Sequence, residues 1–170
     1  MKTFNEFCSQ LDESSLSRIK SKSDKGGMAV ISGSRGDKSK KENKARAKQL
    51  DRDIRGAGLP GATKVKGRWD EKDDKTGKTT KVKERSHVVT SGKKGKRAFS
   101  DTIKKLGKKY GQDAILTQKK KTGTLSATRK GGMGKGPQNK TTTSVGKMRP
   151  GRSSADGDTK IKNKTFTYSK

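Results

Sequence analysis

Apolar residues are sparse in this chain, but in its middle they keep a period. Met28-Ala29-Val30-Ile31-Ser32 is a short unbroken apolar run, the pattern of a buried strand. Gly33-Ser34-Arg35-Gly36 follows as a turn. Ser39-Lys40-Lys41-Glu42 is then a capping box, opening a helix of about 16 residues with Ala47, Leu50 and Ile54 as its core stripe and Gly56 or Gly58 at its end. Thr63 to Trp69 and Lys81 to Thr90 read as two strands joined by the turn Asp73-Asp74-Lys75-Thr76-Gly77. A second helix is predicted over Arg97 to Tyr110, where Phe99, Ile103, Leu106 and Tyr110 share one face and Gly111 suits the position after the last turn. Ala114 to Thr117 and Thr124 to Ala127 complete the pattern as strands around a Lys-Lys-Lys-Thr-Gly turn. The order β-α-β-β-α-β-β predicts an α+β fold, a small mostly antiparallel sheet with two helices on one face.

The ends differ from the middle. Thr3 and Glu6 form a second capping box, and Phe4, Phe7, Cys8 and Leu11 then share one helical face, so residues 1–13 read as an amphipathic leader. Residues 14–27 are rich in Ser, Lys and Gly and read as a linker, which leaves 28–128 as the folded domain. Residues 129–170 are punctuated by Gly131-Gly132, Gly136-Pro137 and Pro150-Gly151, and read as a disordered basic tail. Phe166 and Tyr168 in that tail either dock on a partner, stack on a base or sit in solvent.

Charge adds a function class. The 170 residues hold 45 Lys+Arg against 17 Asp+Glu, a net charge of +28, with only 24% hydrophobic residues. The leader and linker are near neutral, so nearly all of the excess falls on the domain and the tail. A charge this large repels itself in a compact state and draws the chain to a polyanion, where phosphate neutralisation releases counterions. Lys93, Lys94, Lys96, Arg97, Lys104, Lys105, Lys108 and Lys109 are opposed only by Asp101 within their stretch, and Lys119, Lys120 and Lys121 form another cluster. With Arg35 in the Gly-Ser-Arg-Gly turn, these are the candidate nucleic-acid contacts. Lys far outnumbers Arg, which favours non-specific contact with the phosphate backbone over base readout.

No catalytic constellation emerges. His87 stands alone as the chain's one histidine, beside Val88 and Val89 in a strand. Glu71 and Glu84 flank the hairpin and read as ion-pair partners on basic strands. Asp70, Glu71, Asp73 and Asp74 cluster in a Lys-rich turn rather than in a metal-ligating pattern. The Gly33–Gly36 turn lacks a nucleotide-loop pattern, though its amides suit a backbone phosphate. Cys8 alone provides neither a disulfide nor a zinc site, and no run is long and apolar enough to span a membrane. The reading is a protein without enzymatic activity, cofactor or metal.

Two resemblances give this a setting. Met1-Lys2-Thr3-Phe4-Asn5-Glu6-Phe7 resembles the capsid-targeting leader of internal head proteins of large tailed phages, and Leu11-Asp12-Glu13 before Ser14 resembles the site their prohead protease cuts. Cys8-Ser9-Gln10 departs from that leader pattern. Residues 27–127 resemble a small phage domain of unknown function, found especially in phages of cyanobacteria. The matching stretches are Gly27-Met28-Ala29-Val30-Ile31-Ser32, Ser39-Lys40-Lys41-Glu42-Asn43 and Leu106-Gly107-Lys108-Lys109-Tyr110-Gly111-Gln112-Asp113-Ala114-Ile115-Leu116. These resemblances imply a virion protein packaged in the head with DNA. They also imply capsid or scaffold proteins and the prohead protease as partners, and the capsid interior as its location after the host cytoplasm. One alternative is a non-packaged early protein that binds host nucleic acid or an acidic host protein. A second is a nucleic-acid-processing enzyme resting on His87 and nearby carboxylates.

Overall fold

The computed structural model describes residues 16–72, 76, 78–128, 142–151, 157–161 and 164–169. The expected leader, with Phe4, Phe7 and Leu11, and the expected cleavage site at Glu13 and Ser14 lie outside them. Helix α1 covers 16–26, in the stretch read as linker. Strand β1 (Met28–Ser32), helix α2 (Lys40–Gly56), β2 (Thr63–Lys72), β3 (Thr79–Thr90), α3 (Lys96–Lys109), β4 (Ala114–Lys119) and β5 (Thr122–Ala127) follow where the apolar pattern places them. The α2 capping box is closed from both sides: Ser39 Oγ accepts from the Glu42 amide, and the Glu42 carboxylate accepts from the Ser39 amide.

The sheet is where expectation fails. Three more strands, β6 (Thr142–Pro150), β7 (Gly157–Ile161) and β8 (Lys164–Ser169), lie in the stretch read as a disordered tail. They insert between β5 and β2, so the order β1-β3-β2-β7-β8-β6-β5-β4 returns to β1 and the sheet closes as an antiparallel barrel. The predicted open sheet with one helix-covered face is thus a closed one. Closure leaves no edge strand among the described residues, and it turns the second face of the sheet into a lumen.

Two apolar clusters divide at the barrel wall. Outside it, Leu50 and Ile54 of α2 and Phe99, Ile103 and Leu106 of α3 pack on Ala29, Ile31, Val89 and Ile115. Inside it, Met28, Val65, Val88, Met148, Ile161 and Phe166 fill the lumen together with Leu16 and Ile19 of α1. The unbroken run at β1 follows from this: its alternate residues are buried on both faces, one set against helices and one in the lumen. Gly107 lets α3 approach the wall. A Cβ there would stand 2.8 Å from Ile115 Cγ2 and 3.0 Å from Thr128 Cγ2.

The two ends of the barrel differ. Met28 pairs with both Thr90 and Gln118, which places these residues at the end that α1 enters. Ser32, Ser86 and Ala114 mark the opposite end, where the loop between β1 and α2 and the loop after α3 stand.

Candidate active site

A cavity of about 1000 Å³ opens at the end of the barrel away from α1. Its wall combines apolar and aromatic groups, among them Val30, Leu116, Leu125, Phe166 and Tyr168, with the polar Ser86, Thr159 and Glu84. That mixture and size suit a small organic ligand. Strand parity explains the set. Glu84 and Ser86 share the face of Val88, which lies in the lumen, while His87 and Val89 point outward. Gly67 pairs with Glu84 on one side and Thr159 on the other, so the wall beside the Glu84 carboxylate carries no side chain.

The mouth is held by side chains that satisfy loop backbone. Arg46 of α2 donates from Nε to the Gly33 carbonyl at 2.6 Å and from Nη2 to the Tyr110 carbonyl at 2.6 Å, with its guanidinium 5.4 Å from the Tyr110 ring centre. Asn43 accepts from the Arg35 amide at 2.9 Å and donates to the Arg35 carbonyl at 2.9 Å. Arg35 donates to the Gly111 carbonyl and, at 2.8 Å, to Asp37, and that hydrogen bond holds the Asp37 carboxyl below its ordinary range. Below the mouth, Asp53 joins the helices. It accepts from Lys109 at 2.7 Å and Tyr110 at 2.8 Å, and these contacts lower its pKa. Burial, and then its bond to Asp53, push the Tyr110 phenol up.

The rim of the cavity is basic, with Lys38, Lys40, Lys44, Lys83 and Arg85 around it, and Glu84 and Asp113 are its lining carboxylates. Of the residues expected to contact nucleic acid, Arg35 sits at this mouth and is already bonded to Asp37 and Gly111. Lys93, Lys96, Arg97, Lys104, Lys105 and Lys108 are exposed on α3 and its approach, Lys94 is half-buried, and Lys109 is bound to Asp53. Lys119, Lys120 and Lys121 are exposed at the β4–β5 turn, at the other end of the barrel from Arg35. The structure therefore distributes these residues and does not gather them into one site. The Gly33–Gly36 amides are partly spent as well: the Ser34 amide donates to Ser32 Oγ at 3.0 Å and the Arg35 amide to Asn43.

His87 is not in the cavity. It is 1% exposed on the outer face of β3, and neither ring nitrogen has a hydrogen-bond partner among the described residues. Glu71 pairs with Thr80 and Glu84 with Gly67, so the two glutamates are not cross-strand partners. Burial, opposed by Asp51 and assisted by Lys64, lowers the His87 pKa. From about pH 7 downward the unfolded chain takes up a proton near the ordinary histidine pKa of about 6.5, while the folded chain does not. The contribution of this site is thus fully present above that value and falls away as the pH drops toward the lower folded pKa. His87→Leu removes this pH dependence. The expected result in calorimetry from pH 8 to pH 5 is a Tm advantage of the variant that grows as pH falls. Parallel Tm curves for the two proteins would overturn this account.

Sequence reasoning named Glu84 and Tyr168 in other roles. The alternation Thr165-Phe166-Thr167-Tyr168 was the available signal that these rings belong to a strand wall. Arg46 and Gln118 carried none, since their partners are backbone or distant in sequence.

The model of the S-adenosylmethionine lyase family matches residues 29–170. Among solved structures, a phage SAM lyase in complex with S-methyl-5′-thioadenosine is similar at 14% identity, over 60% of this chain and 79% of that chain, with a TM-score of 0.38. No curated protein matches. The family match overturns the reading of a packaged, non-enzymatic DNA-binding protein of the phage head, because the family is one of enzymes. Of the expected classes, the enzyme alternative stands nearest, though not on His87.

Proposed function

The chain belongs to the S-adenosylmethionine lyase family, and from that premise we propose that it cleaves S-adenosylmethionine in the lumen cavity. The family match over residues 29–170 carries this reading. A cavity with aromatic and apolar walls and Glu84 in its lining supports it. A phage origin belongs to the same reading.

The chemistry explains what such a site must do. The substrate carries a sulfonium, an α-ammonium and an α-carboxylate. When a carboxylate oxygen attacks the carbon that bears sulfur, a C–O bond forms and the C–S bond breaks. The electron pair goes to sulfur. The products are neutral S-methyl-5′-thioadenosine and the cationic lactone of a four-carbon amino acid. Charge and atoms balance with no proton transferred and no water consumed. The protein then needs no acid–base pair. It needs to fold the amino-acid arm into the attacking geometry and keep it there, the kind of positioning worth several powers of ten in rate. In this reading the Glu84 carboxylate holds the α-ammonium and the cavity wall takes the adenosine.

The test is direct. Purified protein incubated with S-adenosylmethionine should release S-methyl-5′-thioadenosine and the lactone, measured by mass spectrometry. In water enriched in oxygen-18, lactone sampled early should carry no label. Unconsumed substrate, or products that take oxygen from water at the cleavage step, would overturn the proposal.

A further inference from the structure

We propose that Gln118 is a positioning residue through which α1, the plug of the barrel, holds the wall ring of Tyr168. For its ligand this rests on the lyase reading above.

Three observations carry it. First, α1 plugs the barrel: Leu16 and Ile19 join the lumen cluster and Ser23 is fully buried. The family match begins at residue 29, so α1 lies outside it while Gln118 and Tyr168 lie inside. Second, a one-way hydrogen-bond chain runs from the cavity wall to α1. The Tyr168 hydroxyl donates to Gln118 Oε1 at 2.6 Å, Gln118 Nε2 donates to Ser23 Oγ at 2.9 Å, and Ser23 Oγ donates to the Lys20 carbonyl at 2.8 Å. Gln118 Nε2 also donates to the Lys120 carbonyl at 3.0 Å. A flipped amide would set its oxygen against that carbonyl, so the direction of the chain is fixed. Lys120 has φ +56°, the left-handed conformation that non-glycine residues rarely adopt. Third, the ring is located from its other sides. A Cβ at Gly123 would stand 2.6 Å from Tyr168 Cδ1 and Cε1, so the ring lies against bare backbone. The Phe166 ring meets it edge-on at 6.3 Å and 76°.

Tyr168 lines the cavity, whereas Gln118 and Ser23 do not. The loss of the Ser23 hydroxyl therefore reaches the ligand through Gln118 and the ring. The chain's two tyrosines, Tyr110 and Tyr168, make this readable by fluorine NMR of protein labelled with 3-fluorotyrosine, with Tyr168→Phe assigning the signals. Ser23→Ala should move the Tyr168 signal and leave that of Tyr110 in place. It should weaken S-methyl-5′-thioadenosine binding by roughly threefold to tenfold, the scale of one hydrogen bond. In a Tyr168→Phe background the same change should have no further effect on binding, a non-additivity that a general loss of stability does not produce. Gln118→Met, of similar shape, is the second variant should Ser23→Ala fold poorly. An unmoved Tyr168 signal, or additive losses, would overturn the proposal. If the ligand leaves the wild-type Tyr168 signal unmoved, the lyase reading falls and the proposed role in binding with it. The effect of Ser23→Ala on that signal then still reports whether the chain of hydrogen bonds exists, so the two failures are told apart.

Discussion

Glu84→Gln should lower turnover of S-adenosylmethionine by roughly a hundredfold, the cost of losing alignment in an intramolecular attack, while the protein stays folded. Glu84 reaches the lumen by strand parity with Ser86 and Val88, and it does so beside Gly67, where the wall has no side chain. Gln keeps the size of the side chain and removes its charge. The cationic substrate then meets a wall rimmed by Lys83, Arg85, Lys40 and Lys44 with little to oppose them. Because the reaction moves no proton, the loss should appear at every pH where the wild-type carboxylate is ionised. Stability should change by about 1 kcal/mol or less, as for other partly exposed charges. The measurements are kcat and KM by product release, with Tm alongside. Wild-type turnover in the variant would remove Glu84 from the site.

Phe166→Ala should cost about 3–5 kcal/mol, the usual range for deleting a buried aromatic ring. A domain of this kind is stable by only about 5–15 kcal/mol, so the variant loses much of its margin. Phe166 is 1% exposed and packs in the lumen with Val65, Val88, Met148 and Ile161, which come from β2, β3, β6 and β7. Its own strand, β8, lies between β6 and β7. One ring thus joins the late strands to the early ones. Urea unfolding followed by circular dichroism should show a lower midpoint with an unchanged slope. An exposed neighbour such as Lys160→Ala should stay within about 0.5 kcal/mol of wild type. If residues 142–169 were a disordered tail, Phe166→Ala would be as silent as Lys160→Ala.

The contrast between these two sites shows what could be read early. Glu84 was visible as a carboxylate on a basic hairpin, but its direction depended on which face of β3 became a lumen. Phe166 and Tyr168 alternate with threonines, which is a strand signature over only four residues. The surrounding Gly, Pro, Lys and Ser content outweighed it. His87 was legible as a strand residue beside Val88 and Val89 and not as a base, and its buried place on the outer face of β3 agrees with that reading. The basic clusters were legible as exposed charge. That charge bore on which partners the chain attracts and not on where its cavity lies.

The sequence by itself determined the local elements of residues 28–128. Period and capping act over a few residues, and Met28–Ser32, the Ser39–Glu42 box and the α3 stripe satisfy them without help from the rest of the chain. Only the tertiary structure decided closure. The pairings β2 with β7 and β5 with β6 are made by backbone hydrogen bonds, which carry no side-chain signature. Once the barrel closes, its inner face no longer needs to be uniformly apolar. Gly67, Gly123, Thr159 and Glu84 then line a lumen where the same residues in an open sheet would face water. The cavity and its inward glutamate follow from that closure, because they are made by residues far apart in the chain.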